Sequence, residues 1–227
     1  MSPRSIGLSQ PLNDYLTART SPPDDVQRSL IERTAALGDV AGMQIAPEQG
    51  ELLASLTALL APSFVVEVGT FTGYSALAIA RELVDPARLL CCDVSAEWTD
   101  IAREHWRAAT VEHRIDLRLA PAIETLRALP EDGPLIDLAF VDADKGGYVD
   151  YYEELMRRLA PGGVVLVDNT LWSGDVVDTD GGDASGVPSD DTAAIRAFND
   201  HVAADQRTRQ VIIPIGDGLT LIRRAPG

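Results

Sequence analysis

The sequence predicts an α/β fold: a doubly wound, Rossmann-like sheet of seven strands, the last two an antiparallel hairpin, with extra N-terminal helices. Three observations carry this reading. From Phe64 onward, short apolar runs alternate with helical stretches. Leu138-Ala-Phe-Val-Asp-Ala-Asp-Lys145 and Val167-Asp-Asn169 are apolar runs ending in a burst of charged and amide groups. That is the pattern of a strand buried on both faces whose C-terminal end meets a ligand. Finally, Ile215-Gly-Asp-Gly218 is too short for a parallel crossover, so the strands on either side must pair antiparallel.

In chain order, the N-terminal stretch places Leu8, Leu12, Tyr15 and Leu16 on one helical stripe. Ser21-Pro-Pro-Asp-Asp25 is a helix start, with a cap-type serine, prolines and first-turn acids; its helix places Val26, Leu30, Ile31 and Leu37 on one stripe and stops near Gly38. A further helix starts at Pro47-Glu48 and carries Leu52, Leu53, Leu56, Leu59 and Leu60. These N-terminal helices, over 1–60, are extra to a minimal sheet and read as a lid, a dimer contact or edge packing. The core over 64–224 has strands at Phe64–Val68, Arg88–Asp93, Ile115–Leu119, Ile136–Val141, Val164–Asp168, Gln210–Pro214 and Leu219–Arg223. Helices fall near 74–83, 97–109, 122–128, 148–159 and 191–204, and Ser173–Asp191 reads as a long Asp- and Gly-rich loop. The whole of 1–227 fits one domain.

Apolar residues at 45% and charged residues at 24% are ordinary for a soluble globular chain. No apolar stretch approaches the roughly 18–20 residues of a membrane span, and Met1–Leu8 lacks a basic-then-apolar secretory pattern. The expected location is therefore the cytoplasm, with no membrane partner. Adjacent Cys91 and Cys92 bridge only with strain and read as reduced, buried side chains. A net charge of −16 opposes binding to nucleic acid, which needs a basic surface.

If the two carboxylate-bearing strands are neighbours, Asp142, Asp168 and Asn169 converge as oxygen ligands, with Lys145 a turn away. Oxygen-only ligation suits Mg2+, Mn2+ or Ca2+ rather than zinc. For either aspartate alone, capping the turn after its strand is an equal alternative. His105, His113 and His201 have no spacing to these carboxylates that suggests zinc, and read as surface or packing residues. Trp98 and Trp106 share one helix and read as core or interface. Asp178–Asp183 lacks the closing Glu of a calcium loop and reads as solvated.

Phe64-Val-Val-Glu-Val-Gly-Thr-Phe-Thr-Gly73 runs a strand into a glycine-rich turn and a helix. Its G-x-x-x-G spacing departs from the dinucleotide fingerprint G-x-G-x-x-G, which argues against NAD or FAD. Glu67 before the turn would repel a pyrophosphate but suit an ammonium. Asp93, at the end of the next strand and 24 residues after Gly69, is placed to grip ribose hydroxyls. A ribose joined to a cationic amino-acid tail describes S-adenosylmethionine.

Val66-Glu-Val-Gly-Thr-Phe-Thr-Gly-Tyr-Ser-Ala-Leu77, Phe140-Val-Asp-Ala-Asp-Lys145, Tyr148–Tyr152, Asp168-Asn-Thr-Leu-Trp172 and Pro214-Ile-Gly-Asp-Gly-Leu-Thr220 together resemble the metal-dependent class I O-methyltransferases of the catechol and caffeoyl-CoA type, particularly bacterial members. The resemblance runs from Met43 to Ile222. It implies that Asp142, Asp168 and Asn169 hold Mg2+ and that Lys145 is the catalytic base. It also implies that Ile45, Glu67, Gly69, Ser75, Asp93, Ala122 and Asp142 serve S-adenosylmethionine, with Asp144 assisting. On the same resemblance, Trp172, Ser173 and Asp217 would border the acceptor, a catechol-like vicinal diol, and the chain would be a homodimer. The sequence departs from the family pattern at Ala120, where a glycine is usual, at Ala46, where a serine often caps the helix, and at Ser173, where plant relatives carry asparagine.

The chemistry implied is attack of a hydroxyl oxygen on a sulfonium methyl. A phenol has a pKa near 10, so it needs a neighbouring cation and a base whose own pKa is depressed below its ordinary value, about 10.4 for lysine. The rivals are a tRNA hydroxyuridine methyltransferase, which needs a basic stripe, a non-catalytic S-adenosylmethionine sensor, which needs neither metal nor base, and a nicotinamide oxidoreductase, which the glycine spacing disfavours.

Overall fold

Phe64-Val-Val-Glu-Val68, rich in β-branched residues, forms the first strand, β1. The computed structural model describes residues 7–177 and 189–225 and builds β1 into a seven-stranded sheet. The other strands are β2 (Arg88–Asp93), β3 (Ile115–Leu119), β4 (Ile136–Val141), β5 (Leu159–Val167), β6 (Thr208–Ile213) and β7 (Leu219–Arg224). Their order is β3-β2-β1-β4-β5-β7-β6. The first five are parallel, while β7 is antiparallel to both β5 and β6, as the short connection required.

The helices are α1 (Gln10–Thr17), α2 (Asp25–Ala35), α3 (Pro47–Leu60), α4 (Tyr74–Glu82), α5 (Ala96–Ala108), α6 (Ala122–Arg127), α7 (Tyr148–Arg158) and α8 (Ser189–Ala204). Period-2 alternation splits the strand residues between two cores. Val65, Leu89, Cys91, Leu138, Phe140 and Leu166 face α2 to α5. Val66, Leu90, Cys92, Ala139, Val141 and Val167 face α6 to α8. Leu30 of α2 and Leu53 of α3 are fully buried in the first core, so these two N-terminal helices complete one layer of the fold. Among the described residues, α1 buries none of its own, and no helix is long and apolar enough to cross a membrane. Both cysteines are free and buried.

Several boundaries differ from the sequence expectation. α2 is capped by Asp24, not Ser21: the Asp24 carboxylate accepts from the Gln27 amide and the Gln27 side chain accepts from the Asp24 amide, a reciprocal capping box. α3 starts at Pro47 as expected, with Ala46 as its cap, which makes no side-chain bond. β5 begins at Leu159 rather than Val164. Leu159 pairs with Ile136 across a register shift, so Pro161-Gly162-Gly163 is an irregularity within the strand and not a break before it. α8 begins at Ser189, and the expected loop at Asp178–Asp183 lies outside the described residues.

Register places the candidate residues. Val68 lies opposite both Cys92 and Val141, and Val141 lies opposite Val167. Gly69, Asp93, Asp142 and Asp168 therefore leave four adjacent strands at one edge. The ladder carries on past three of these ends: Gly69 N–H donates to Cys92 C=O (2.9 Å), Asp142 N–H to Val68 C=O (2.8 Å) and Asp168 N–H to Val141 C=O (2.9 Å).

Candidate active site

Beyond that edge lies a cavity of about 1030 Å³. Of the residues expected at the site, every one but Glu67 lines it. β2 and β5 are three strand spacings apart, so the cavity spans on the order of 14 Å from Asp93 to Asp168.

At the β1–β2 end, the glycine-rich turn wraps against Asp93. Asp93 Oδ2 accepts the amides of Thr70 (2.9 Å) and Phe71 (2.8 Å), and Oδ1 accepts that of Ser95 (2.7 Å). Gly69 has φ +86°, and a Cβ there would run into the Asp142 carbonyl, so only glycine lets β1 and β4 leave the sheet this closely. The turn is braced from the helical layer. The Thr34 hydroxyl of α2 donates to Thr72 (2.8 Å), and Trp106 Nε1–H donates to the Gly73 carbonyl (3.2 Å).

Glu67 sits beneath this turn, 0% exposed, where it accepts the Ser75 hydroxyl at 2.7 Å. Burial pushes its carboxyl up to about 7. Its reach toward the cavity is through Ser75. Trp98, expected in the core or an interface, instead lines the cavity and meets Phe71 edge-on at 5.0 Å; Trp106 alone is core. Ala120 and Ala122 line the same end.

At the β4–β5 end, Lys145 Nζ donates to Asn169 Oδ1 (2.6 Å), the Tyr148 hydroxyl (2.7 Å) and Asp142 Oδ1 (3.2 Å). The ammonium lies 5.6 Å from the Trp172 ring centroid, a cation–π distance. Asp168 is 3% exposed; its Oδ2 accepts Gln49 Nε2–H from α3 (2.7 Å) and its Oδ1 accepts the Asn169 amide (2.7 Å). Burial, then the charge of Asp142, pushes the Asp168 carboxyl up to about 7; burial likewise raises Asp142, against the pull of Lys145.

The backbone here is unusual: Asn169, Trp172 and Ser173 all have left-handed φ, at +56°, +48° and +52°. Asparagine tolerates this region well; Trp does not, and such strain gathers at functional sites. Asp217 on the β6–β7 connection accepts the Ser173 amide at 2.5 Å, joining the two loops that form this wall.

Oxygen atoms of Asp142, Asp168 and Asn169 form a hard donor set, and the charge of Asp142 beside the buried Asp168, which raises the Asp168 carboxyl, calls for positive charge. The residues thus fit a divalent cation. Among the described residues, no three His, Cys, Asp or Glu side chains are placed to hold a metal ion together; the third donor of this set is an amide. The histidines lie elsewhere: His105 contacts Ser29 and the Ile101 carbonyl, His113 contacts Asp85, and His201 contacts Glu153.

The sequence did not single out Gln49, gave Tyr148 no role beyond its place in the Tyr148–Tyr152 motif, and put Trp98 in the core or an interface. Gln49 is 119 positions from Asp168, with no local pattern to flag it. Tyr148 stands three residues after Lys145, a helical-face spacing that could have paired them.

A parallel sheet with a glycine-rich turn after β1, an acid after β2 and an antiparallel last strand pair, opening on a cavity at its C-terminal edge, has the architecture of a class I methyltransferase. The family model described as O-methyltransferase matches residues 19–225. Catechol O-methyltransferase domain-containing protein 1 of Mus musculus is 38% identical over 93% of this chain and 79% of its own length. Caffeoyl-CoA O-methyltransferase 2 of Zea mays is 36% identical over 80% of this chain and 70% of its own. The structure of the O-methyltransferase TomG from Streptomyces achromogenes, solved with S-adenosylmethionine, superimposes with a TM-score of 0.82 at 25% identity, covering 95% of this chain and 96% of its own.

The chain belongs to the O-methyltransferase family, and within it to the class I, S-adenosylmethionine-dependent enzymes of the caffeoyl-CoA and catechol type.

Proposed function

We propose that this enzyme transfers the methyl group of S-adenosylmethionine to one hydroxyl of a small aromatic vicinal diol, with a divalent cation (Mg2+, or Mn2+ or Ca2+) held by Asp142, Asp168 and Asn169 and with Lys145 as the base. The observation that carries this is the meeting of Asp142, Asn169 and Tyr148 on Lys145 Nζ, beside Asp168 at the end of the cavity. When bound, the cation supplies positive charge that lowers the pKa of a hydroxyl.

The chain's own residues supply the rest. The glycine-rich turn braced by Asp93, with Ile45, Ser75 and Ala122, forms the S-adenosylmethionine wall; Glu67 orients Ser75, and Asp144 borders the same space. Trp172, Ser173 and Asp217 form the acceptor wall. An ammonium is a donor only, so Lys145 works as the amine, keeping two of its three N–H bonds and turning its lone pair to the acceptor hydroxyl. The hydroxyl proton passes to Nζ and the oxygen attacks the methyl carbon. The C–S bond breaks with its electron pair on sulfur, leaving a neutral thioether.

The same reading has the enzyme acting in the cytoplasm as a homodimer, with the N-terminal helices as lid or dimer contact. α1, which leaves Tyr15 and Leu16 exposed, is the first candidate for that contact.

The test is methyl transfer from labelled S-adenosylmethionine to a panel of catechols, caffeoyl esters and bulk tRNA, with Mg2+ and again with chelator. Chelator-sensitive transfer to a diol is the expected result. Transfer to tRNA alone, or transfer indifferent to chelator, would overturn the reading.

A further inference from the structure

Tyr148 is the first residue of α7 and is 1% exposed. Its ring is held edge-on by Phe198, with centroids 5.5 Å apart, and Lys145 Nζ lies 4.9 Å from the Tyr148 ring centroid. A phenol has one proton to donate, and Tyr148 gives it to the backbone carbonyl of Asp168 at 3.2 Å. Toward Lys145 its oxygen therefore only accepts, at 2.7 Å. Asn169 Oδ1, at 2.6 Å, is likewise an acceptor. Two directions around Nζ are thus fixed by oxygens that do not donate. The third points toward Asp142 Oδ1, the longest of the three contacts at 3.2 Å.

We propose that Tyr148 is the positioning residue for Lys145: its hydroxyl pins one N–H of the lysine and so aims the remaining direction of Nζ at the Asp142 side of the cavity. This rests on Lys145 being the base. In the amine, the N–H bonds to Tyr148 and Asn169 persist and the lone pair takes the third direction. The acceptor hydroxyl gives its proton to that lone pair, and Nζ becomes an ammonium with three donors. Without the Tyr148 oxygen, Nζ keeps one fixed acceptor and rotates about its Cε–Nζ bond, so the lone pair is no longer aimed.

The experiment compares Tyr148→Phe, Lys145→Ala and the double variant. It measures kcat, KM for S-adenosylmethionine and for a catechol, Mn2+ affinity by calorimetry, and Tm. Tyr148→Phe should lower kcat by about tenfold, since catalytic rate is sensitive to small misplacement, while both KM values and Mn2+ affinity stay within about twofold. In the Lys145→Ala background the same change should cost nothing more, because the two residues act as one unit. An equal further loss in that background would make Tyr148 a support for the Asp168 backbone and overturn the proposal, as would unchanged kcat in Tyr148→Phe. Full activity in Lys145→Ala would instead remove the base assignment itself. Should Tyr148→Phe fail to fold, 3-fluorotyrosine at position 148 keeps the hydroxyl but weakens it as an acceptor. A kcat below wild type with unchanged KM values supports the proposal; a wild-type kcat overturns it.

Discussion

Gln49 Nε2 donates to Asp168 Oδ2 at 2.7 Å, tying the first turn of α3 to the carboxylate that ends β5. Both partners are buried, and the β6–β7 connection is fitted around them: a Cβ on Gly216 would collide with Gln49 Oε1. An N-terminal helix thereby sets the direction of a candidate metal ligand. Gln49→Ala should weaken Mn2+ binding by about tenfold or more, the usual cost of removing a partner that orients a ligand. The stability cost should be about 1–2 kcal/mol. Calorimetric titration with Mn2+ and urea unfolding separate the two effects; unchanged affinity would mean that Asp168 needs no such tie.

Gly69→Ala should be far more damaging than its size implies. The new methyl group meets the Asp142 carbonyl and the residue sits at φ +86°. A cost of about 3 kcal/mol or more is expected from strain and overlap together. Thermal unfolding reads it directly, and a Tm within about 2 °C of wild type would show that the edge relaxes freely.

Glu67 provides a pH test. Its folded-state value of about 7 lies above the 4.5 of an ordinary glutamate, so the folded protein holds a proton that the unfolded chain has released. The stability this contributes is complete below pH 4.5 and is lost as pH rises to about 7. Relative to Glu67→Gln, wild-type stability should therefore fall between pH 5 and 7, by at most about 1.4 kcal/mol per pH unit. Urea unfolding of the ligand-free proteins across that range measures the difference; parallel curves would contradict the burial argument.

The charge of the cavity wall bears on the proposed acceptor. Among the described lining residues Lys145 is the only basic side chain, against the acidic side chains of Asp93, Asp142, Asp144, Asp168, Asp191 and Asp217. A CoA thioester, with its phosphates, should show kcat/KM about tenfold or more below that of a neutral diol at low ionic strength, the gap narrowing with salt. Steady-state kinetics with caffeoyl-CoA and a simple catechol at two salt concentrations decide this, and a preference for the thioester at low salt would reverse it.

The local and periodic features of this protein were legible in the sequence. Apolar runs ending in polar groups located β4 and β5, the two-glycine turn located the end of β1, and the short Ile215–Gly218 link required an antiparallel last pair, because each depends on residues close together in the chain. The same local signals misplaced the Asp24 cap and the start of β5, where a side-chain reach of three residues and a cross-strand register shift decide the boundary.

What only the tertiary structure decided is which groups meet. Asp93 spends its oxygens on the amides of the glycine-rich turn, Glu67 lies under that turn and reaches the cavity through Ser75, and Lys145 is gripped by Tyr148 and Asn169. Such pairings join positions as far apart as Gln49 and Asp168. Side-chain hydrogen bonds of that span leave no periodic trace in the chain, because strand order and register, not sequence spacing, set the distance between their atoms.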